Sequence, residues 1–561
     1  MKIFIAQQNY HIGNFDKNTE KIIEAISEAK KNQADLIVFS ELSICGYMPK
    51  DFLNFDDFIH QCEQSIHKIK EYSDTIGVII GSPERNPNKA GRSLFNAAFF
   101  LYEKEIKSIA HKTCLPTYDV FDEARYFEPA SQWEVIPFKG KRIALTICED
   151  IWNLGHHPLY KVCPMDMLMK ENPDVMINIS ASPFDYTHVE DRKATIKSNV
   201  LKYGLPMIYC NAVGSQTELI FDGSSLAFNK NADLVCQLPQ FKEALQEITL
   251  KDDGTFDMQI IEPVHSLPSQ QSEPEQLVPG LNIDQVYSAI ILGIRDYFTK
   301  MGFKKAIIGS SGGLDSAVTI ALTCEALGKE NVLAILMPSE YSTSHSIGDA
   351  ENLSKNLGNP YEIIPIKNVY EEFLKDLKPL FKDMPFNVAE ENIQARSRGV
   401  LLMAIANKFG HILLNTSNKS ELAMGYGTLY GDMAGGISVL GDCYKLQVYE
   451  LARYINSKKE IIPEHIISKP PSAELRPGQK DSDSLPPYEL LDRLIYQFIE
   501  RGLGPDEIKK KGFDELMVDR VLKSINQNEY KRHQFCPIIR ISPKAFGEGR
   551  KIPIVTNYLT S

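Results

Sequence analysis

The stretch Ala306-Ile307-Ile308-Gly309-Ser310-Ser311-Gly312-Gly313-Leu314-Asp315-Ser316 constrains this chain more than any other: an apolar strand runs into a glycine-rich turn that opens a helix through Leu327. Gly312 and Gly313 carry no Cβ to block a close backbone approach, so successive N–H groups converge on an anion at the positive helix end. Ser310, Ser311 and Ser316 add hydroxyl donors. A Walker A loop requires a Lys that is missing here, and Asp315 stands in the turn instead, a ligand suited to Mg²⁺ rather than to bare phosphate. The pattern predicts a metal-bound pyrophosphate group.

These residues resemble the SGG-x-DS loop of the N-type ATP pyrophosphatases, which adenylate an oxygen, release pyrophosphate and let a nitrogen or sulfur nucleophile displace AMP. The resemblance implies ATP as co-substrate, held by Gly309 through Ser316, and Mg²⁺ on Asp315.

A chain of 561 residues, 43% of them hydrophobic, is long enough for more than one core. Asp and Glu number 73 against 61 Lys and Arg. That acidic balance argues against nonspecific nucleic-acid binding, which needs a basic surface, and leaves small anions to local sites. No C-x-x-C pair occurs among the ten cysteines, no apolar run approaches a membrane span, and MKIFIAQQNYHIGNF lacks a signal-peptide core. The expected setting is the cytoplasm, with reduced thiols and no membrane partner.

Prolines 263, 268, 274 and 279 interrupt EPVHSLPSQQSEPEQLVPG, so residues 263–280 read as a linker between domains at 1–262 and 281–561. Before it, β-rich runs at 3–6, 36–39, 78–81, 97–101, 143–147, 175–179 and 207–210 alternate with helical stretches at 18–31 and 58–74. After it, strands at 306–308, 332–336, 362–365 and 412–414 alternate with helices near 314–327, 346–357 and 389–408. That alternation predicts α/β architecture, with a doubly wound parallel sheet in the second half and its nucleotide at the carboxyl ends of the strands.

Three segments of the first half end predicted strands on reactive side chains: DLIVFSELSICGY offers Glu41, SIAHKTCLPTYDVF offers Lys112 and RIALTICEDIW offers Cys148. Singly, each has an ordinary reading: an inert buried thiol, a turn cap, a solvated charge. Together they resemble the nitrilase superfamily over residues 1–260, which implies an α-β-β-α sandwich and a Glu-Lys-Cys triad that cleaves amides through a thioester. The chemistry needs these types. Glu41 takes the thiol proton and passes it to departing ammonia, and Lys112 stabilises the oxyanion. Glu149 and Asp150 are expected to raise the thiol pKa. Losing the Lys112 donor should cost about 100- to 1000-fold in rate, with Lys112→Ala expected to be nearly silent in folding. In glutamine-using members, the matching positions imply that Tyr118, Ser182 and His188 hold the substrate, with His188 where the family usually has Lys or Arg.

Residues 391–436, ENIQARSRGVLLMAIANKFGHILLNTSNKSELAMGYGTLYGDMAGG, are similar to glutamine-dependent NAD synthetases, whose acceptor is the nicotinate carboxylate of deamido-NAD. The resemblance implies that ammonia made in one site attacks an adenylate in the other, and that the protein forms homo-oligomers. It places Thr416 and Lys445 on ATP, Glu421 on a second Mg²⁺ position opposite Asp315 and close to deamido-NAD, and Asn392, Asp432 and Lys531 on deamido-NAD. By ordinary readings, Glu421 follows a helix start capped by Ser420, and Lys531 belongs to a solvated basic face with Arg532, Arg540, Lys544, Arg550 and Lys551. Residues 476–492 read as a mobile loop that closes over the adenylate. Rival readings are amidation of another nucleotide such as xanthylate, sulfur transfer to tRNA, and a catalytically dead first half.

Overall fold

The computed structural model describes residues 1–88, 90–155, 158–257, 260–261 and 276–559. Two compact units result, Met1–Ser269 and Gln270–Ser561. Most of the expected linker, residues 263–275, lies outside the described residues; within its remainder Leu277 and Val278 are buried.

In the first unit, one sheet has the strand order Ala244–Thr249, Lys2–Gln7, Leu36–Val38, Gly77–Arg85, Leu94–Tyr102 and Glu105–His111. Its three central strands are mutually parallel and the outer ones pair antiparallel. The other sheet is centred on the parallel strands Lys141–Ile147, Val175–Ser180 and Met207–Asn211. Side-chain alternation builds four layers. Ile3, Ile5 and Val38 meet Ile143, Leu145 and Ile177 between the sheets. Phe4 and Ile37 face outward onto Ile22 and Ile66 of the helices Phe15–Lys31 and Asp56–Lys70. On the far side Met176 and Tyr209 meet Ile196 and Val200 of the helix His188–Tyr203. Strands covered on both faces read as continuous apolar runs, which is why they stand out in the sequence. The α-β-β-α sandwich is as expected.

The second unit has a five-stranded sheet, every pair parallel, in the order Tyr361–Ile363, Val332–Leu336, Ala306–Gly309, Ile412–Asn415 and Ile437–Ser438. Its first strand is central, so the order reverses on either side of Gly309 and leaves a crevice at the carboxyl ends, the doubly wound arrangement expected. A helix that the sequence pattern does not announce, Ile283–Met301, packs Val286, Ile290 and Ile294 into the core. Among the described residues no helix is long and apolar enough to cross a membrane.

One close approach ties this fold to its chemistry. The turn that carries Glu41 lies directly on Gly81 of the strand Gly77–Arg85, where an added Cβ would sit 2.3 Å from the Leu42 nitrogen and 2.8 Å from the Glu41 Cα. Gly81→Ala is therefore expected to lower stability by about 1–3 kcal/mol, the usual cost of overpacking, and to displace Glu41. Denaturant unfolding and glutamine hydrolysis measured on the same variant check both effects.

Candidate active sites at the strand ends of each unit

In the first unit all three expected residues follow strand ends and are buried: Glu41 after Leu36–Val38, Lys112 after Glu105–His111 and Cys148 after Lys141–Ile147. Cys148 has φ +44°, a left-handed backbone that L side chains rarely adopt. There it opens the turn Cys148–Ile151 and leaves the sheet sharply. Strain at such a position is characteristic of functional sites. Lys112 Nζ donates to Glu41 Oε1 at 2.8 Å and to Glu123 Oε1 at 2.7 Å. Glu41 is fixed further by Asn96 Nδ2 at 2.7 Å and the Ala181 amide at 2.9 Å. Two of the three ammonium N–H groups are thus used, and one remains for an oxyanion.

Burial pushes the Cys148 thiol well above its ordinary pKa; Glu41 and Glu123 push it further, while Lys112 pulls it back. The thiol rests protonated and needs a base to act as a nucleophile. Glu149 adds to that rise, whereas Asp150 is turned away. Its carboxylate accepts from the amides of Thr113, Cys114 and Ile147 at 2.8–3.0 Å, which fastens the cysteine turn to the lysine segment. Burial raises Glu149 to about 7, against the lowering effect of Lys112 and of hydrogen bonds from Tyr118 and Tyr160.

Tyr118 therefore already donates to Glu149, at 3.0 Å. Ser182 Oγ lies 3.0 Å from His188 Nε2, whose ring stacks on Trp152 with centroids 4.8 Å apart. Glu123 is a functional residue that the sequence does not disclose. Its spacing from Lys112 carries no periodic signal, and only the turn Glu123–Arg125 brings it back onto the lysine.

In the second unit a cavity of about 310 Å³ opens at the carboxyl ends of the sheet. Gly309, Ser310, Ser311, Gly313, Leu314, Asp315 and Ser316 line it, as do Thr416, Glu421, Asp432 and Lys445. Gly312 does not; it turns at φ +77° against the Ser346 carbonyl, 2.2 Å from where a Cβ would stand. The loop is braced internally, Ser311 Oγ accepting from the Gly313 amide at 3.2 Å and lying 3.1 Å from Ser316 Oγ. Ser310 Oγ is buried without a hydrogen-bond partner among the described residues.

Asp315 holds Lys445 Nζ at 2.5 Å and accepts from Asn418 Nδ2 at 3.0 Å. Burial and the facing Asp315 push Glu421 well above the usual carboxylate range, against Lys445. Two carboxylates crowded into one cavity suit a hard divalent cation. Among the described residues no cluster of three or more His, Cys, Asp or Glu side chains is poised for a metal. Mg²⁺ is satisfied by one or two carboxylates plus phosphate oxygens, so the donor set fits.

Asn392 and Lys531 do not line the cavity. Both instead brace the loop that carries Asp432: Thr428 donates its hydroxyl to Asn392 Oδ1 at 2.7 Å and its amide to Asp432 Oδ1 at 2.5 Å. Lys531 Nζ donates to the carbonyls of Gly425 and Gly427. Of its neighbours in the expected solvated face, Lys551 is exposed and Lys544 half-buried, but the three arginines are held by the protein. Arg532 donates to the Leu422 and Ala423 carbonyls, Arg540 is buried, and Arg550 pairs with Glu529 at 2.5 Å.

Three further details differ from expectation. The helix Lys419–Met424 is capped by Asn418, not Ser420, with Asn418 Oδ1 accepting from the Glu421 amide at 2.9 Å. Residues 488–492 are the first turn of the helix Tyr488–Ile499, and Asp481 is pinned by Tyr426 and Tyr488. The segment lining the cavity is mainly Lys469–Leu475. Finally Arg398, inconspicuous within QARSRG, lines the cavity and has no carboxylate within ion-pair distance among the described residues. Burial lowers it to about 10, against Asp432 and Glu474. A half-buried guanidinium facing a cavity suits an anion.

The geometry also corrects the expectation that Lys112→Ala would be nearly silent in folding. Removing Lys112 leaves Glu41 and Glu123 facing each other with no cation, both fully buried, and breaking such a pair typically costs about 3–5 kcal/mol. Chemical denaturation should show that loss for Lys112→Ala, with partial recovery in Lys112→Met/Glu123→Gln.

Residues 2–254 match the carbon-nitrogen hydrolase family model and residues 286–535 the NAD synthase model. The chain is 42% identical to the glutamine-dependent NAD(+) synthetase of Synechocystis sp., over 98% of both chains. It is 39% identical to that of Thermotoga maritima, over 100% of this chain and 99% of the relative. Among solved structures, the glutamine-dependent NAD(+) synthetase of Acinetobacter baumannii in complex with ADP superimposes with a TM-score of 0.76 at 36% identity, covering 99% of each chain. The chain belongs to the glutamine-dependent NAD(+) synthetase family.

Proposed function

We propose that this chain hydrolyses glutamine to ammonia in its first unit and uses the ammonia in its second to amidate ATP-adenylated deamido-NAD. The products are NAD, AMP, pyrophosphate and glutamate. We assign residues 1–262 to the glutaminase domain, 263–280 to a linker and 281–561 to the synthetase domain. The observation that carries the reading is Cys148 at its left-handed elbow beside the buried Glu41–Lys112 pair, in a chain that also holds the phosphate loop.

In the first site Glu41 accepts the Cys148 proton as sulfur attacks the amide carbon, and the free N–H of Lys112 stabilises the oxyanion. Glu41 then returns the proton to the leaving ammonia, and water hydrolyses the thioester. Tyr118 and Ser182 position glutamine, and Glu149 is the acceptor available to its α-ammonium group.

In the second site the nicotinate carboxylate attacks the α-phosphorus of ATP and pyrophosphate leaves; ammonia then displaces AMP. The loop amides and Ser311 and Ser316 cradle the phosphates. Lys445 meets charge on the departing pyrophosphate, Thr416 contacts ATP, and Asn392, Asp432 and Lys531 shape the deamido-NAD side. Asp315 and Glu421 would hold Mg²⁺, which would neutralise triphosphate charge.

Self-association fits an exposed apolar run, Phe373, Leu380, Met384, Phe386 and Val388, on one continuous segment of the second unit. A monomeric mass in light scattering would oppose it. The cytoplasm fits the reaction, whose co-substrates are nucleotides.

Cys148→Ala is expected to abolish glutamine-driven NAD formation and to retain the ammonium-driven reaction. Native protein that hydrolyses glutamine yet makes no NAD from either donor would refute the acceptor. His188 contacts the glutamine carboxylate, so His188→Ala should raise the glutamine KM and leave the ammonium-driven reaction unchanged. An unchanged glutamine KM in that variant refutes the contact.

A further inference from the structure

Three hydrogen bonds connect the elements that carry Glu421, Lys445 and Asp492, and a fourth ties Lys445 to Asp315. Asp492 sits on the helix Tyr488–Ile499, is fully buried and does not line the cavity. Its Oδ1 accepts from Ser420 Oγ at 2.5 Å and its Oδ2 from the Leu446 amide at 2.9 Å. Ser420 Oγ in turn accepts from the Lys445 amide at 3.0 Å. Each donor thus stands next to a residue whose side chain lines the cavity with Asp315: Ser420 precedes Glu421, and Leu446 follows Lys445. The fourth bond closes the arrangement on the ligand side, where Lys445 Nζ meets Asp315.

The choice of partners is informative. A buried carboxylate is usually matched to a cation, yet the hydrogen-bond donors to Asp492 are a hydroxyl and a backbone amide. Its carboxyl group stands instead at the N-terminus of the helix Lys445–Asn456, whose N-cap, Tyr444, contributes no side-chain hydrogen bond to the helix amides. Nor is Asp492 needed to anchor the helix Lys419–Met424. Lys419 Nζ already fastens it to Asp442 at 2.9 Å, Glu500 at 2.8 Å and Ser542 Oγ at 2.8 Å. What Asp492 adds is the spacing between that helix and the helix of Lys445.

We propose that Asp492, acting through Ser420 and the amide of Leu446, is a positioning residue for ATP use that holds Glu421 and Lys445 at a fixed separation on either side of Asp315. The proposal rests on the assignment of Lys445 and Glu421 to the ATP site. Without the clamp, the helix start of Lys445 is free to shift against Glu421, and the group that meets triphosphate charge loses its register with the carboxylates opposite. Supporting partners of ligand-holding residues typically contribute about 10- to 100-fold.

The test is steady-state NAD formation with ammonium as donor, titrating Mg-ATP and deamido-NAD separately, for the full chain and for Asp492→Ala, Asp492→Asn, Ser420→Ala, Asp492→Asn/Ser420→Ala and Lys445→Met. Asp492→Ala should lower kcat/KM for ATP about 10- to 100-fold, mostly through KM, with a much smaller change in the KM for deamido-NAD. Asp492→Asn, which keeps one acceptor oxygen, should fall between. The double variant should lose no more than its worse single variant, because both act through the same bonds. A merely structural aspartate would instead lower kcat with both KM values unchanged, and that result overturns the proposal, as does a native ATP kcat/KM. If Asp492→Ala fails to fold, the ATP kinetics of Asp492→Asn and Ser420→Ala decide between the same outcomes. Should Lys445→Met keep native ATP kinetics, the site assignment fails and takes the proposal with it; impaired Lys445→Met beside normal Asp492 variants refutes the clamp alone.

Discussion

Burying an ammonium group is the demand around which both units are built. Taking such a charge out of water costs several kcal/mol even after relaxation, and this protein does it repeatedly. Lys112 is enclosed between Glu41 and Glu123, Lys419 among Asp442, Glu500 and Ser542, and Lys445 against Asp315. Every partner must come from a different segment of chain, so each lysine fastens loops that the sheets alone would leave loose. The Glu41 turn and the Glu123 turn are joined by Lys112; the Glu421 helix, the end of the helix Tyr488–Ile499 and the carboxyl-terminal segment are joined by Lys419.

The same desolvation sets the chemistry. Around Cys148, burial and two carboxylates keep the thiol protonated against the pull of Lys112, so the base that accepts its proton must lie within the same cluster. Around Asp315, burial and a facing carboxylate raise Glu421, so the cavity favours a cation, from the protein or from solution. Arg398 adds a positive charge with no carboxylate at ion-pair distance among the described residues, and for the opposite reason it suits an anion. The first cluster is internally paired for proton transfer, whereas the second is left incomplete for its ligands.

Legibility in the sequence follows the range of the interaction. Apolar runs such as 143–147, 175–179 and 332–336 mark strands because parallel strands covered on both faces need no polar alternation. The helix Ile283–Met301 is masked because it adjoins the proline-rich segment that marks the boundary. The phosphate loop is readable because its requirement is local: Gly312 has to adopt a positive φ against the Ser346 carbonyl. Glu41, Lys112 and Cys148 are readable because each ends a strand. Glu123, Asp492 and the role of Ser420 are not, since a hydrogen bond across tens of residues leaves no periodic trace. Ser420 shows this directly: a local capping pattern points to it, while Asn418 two residues earlier takes the cap and frees its hydroxyl for Asp492.

By itself, then, the sequence determined the α/β class and, through its family resemblance, the two chemistries, and it offered candidate side chains for them, because backbone preferences, strand burial and motif residues are properties of short segments. Tertiary structure decided which charges face one another: that Lys112 is shared between two glutamates, that Asn392 and Lys531 brace a loop rather than line the cavity, and that Arg398 faces the cavity beyond ion-pair distance of any described carboxylate. Electrostatic energies depend on distance through a low-dielectric interior, and only the folded chain sets those distances.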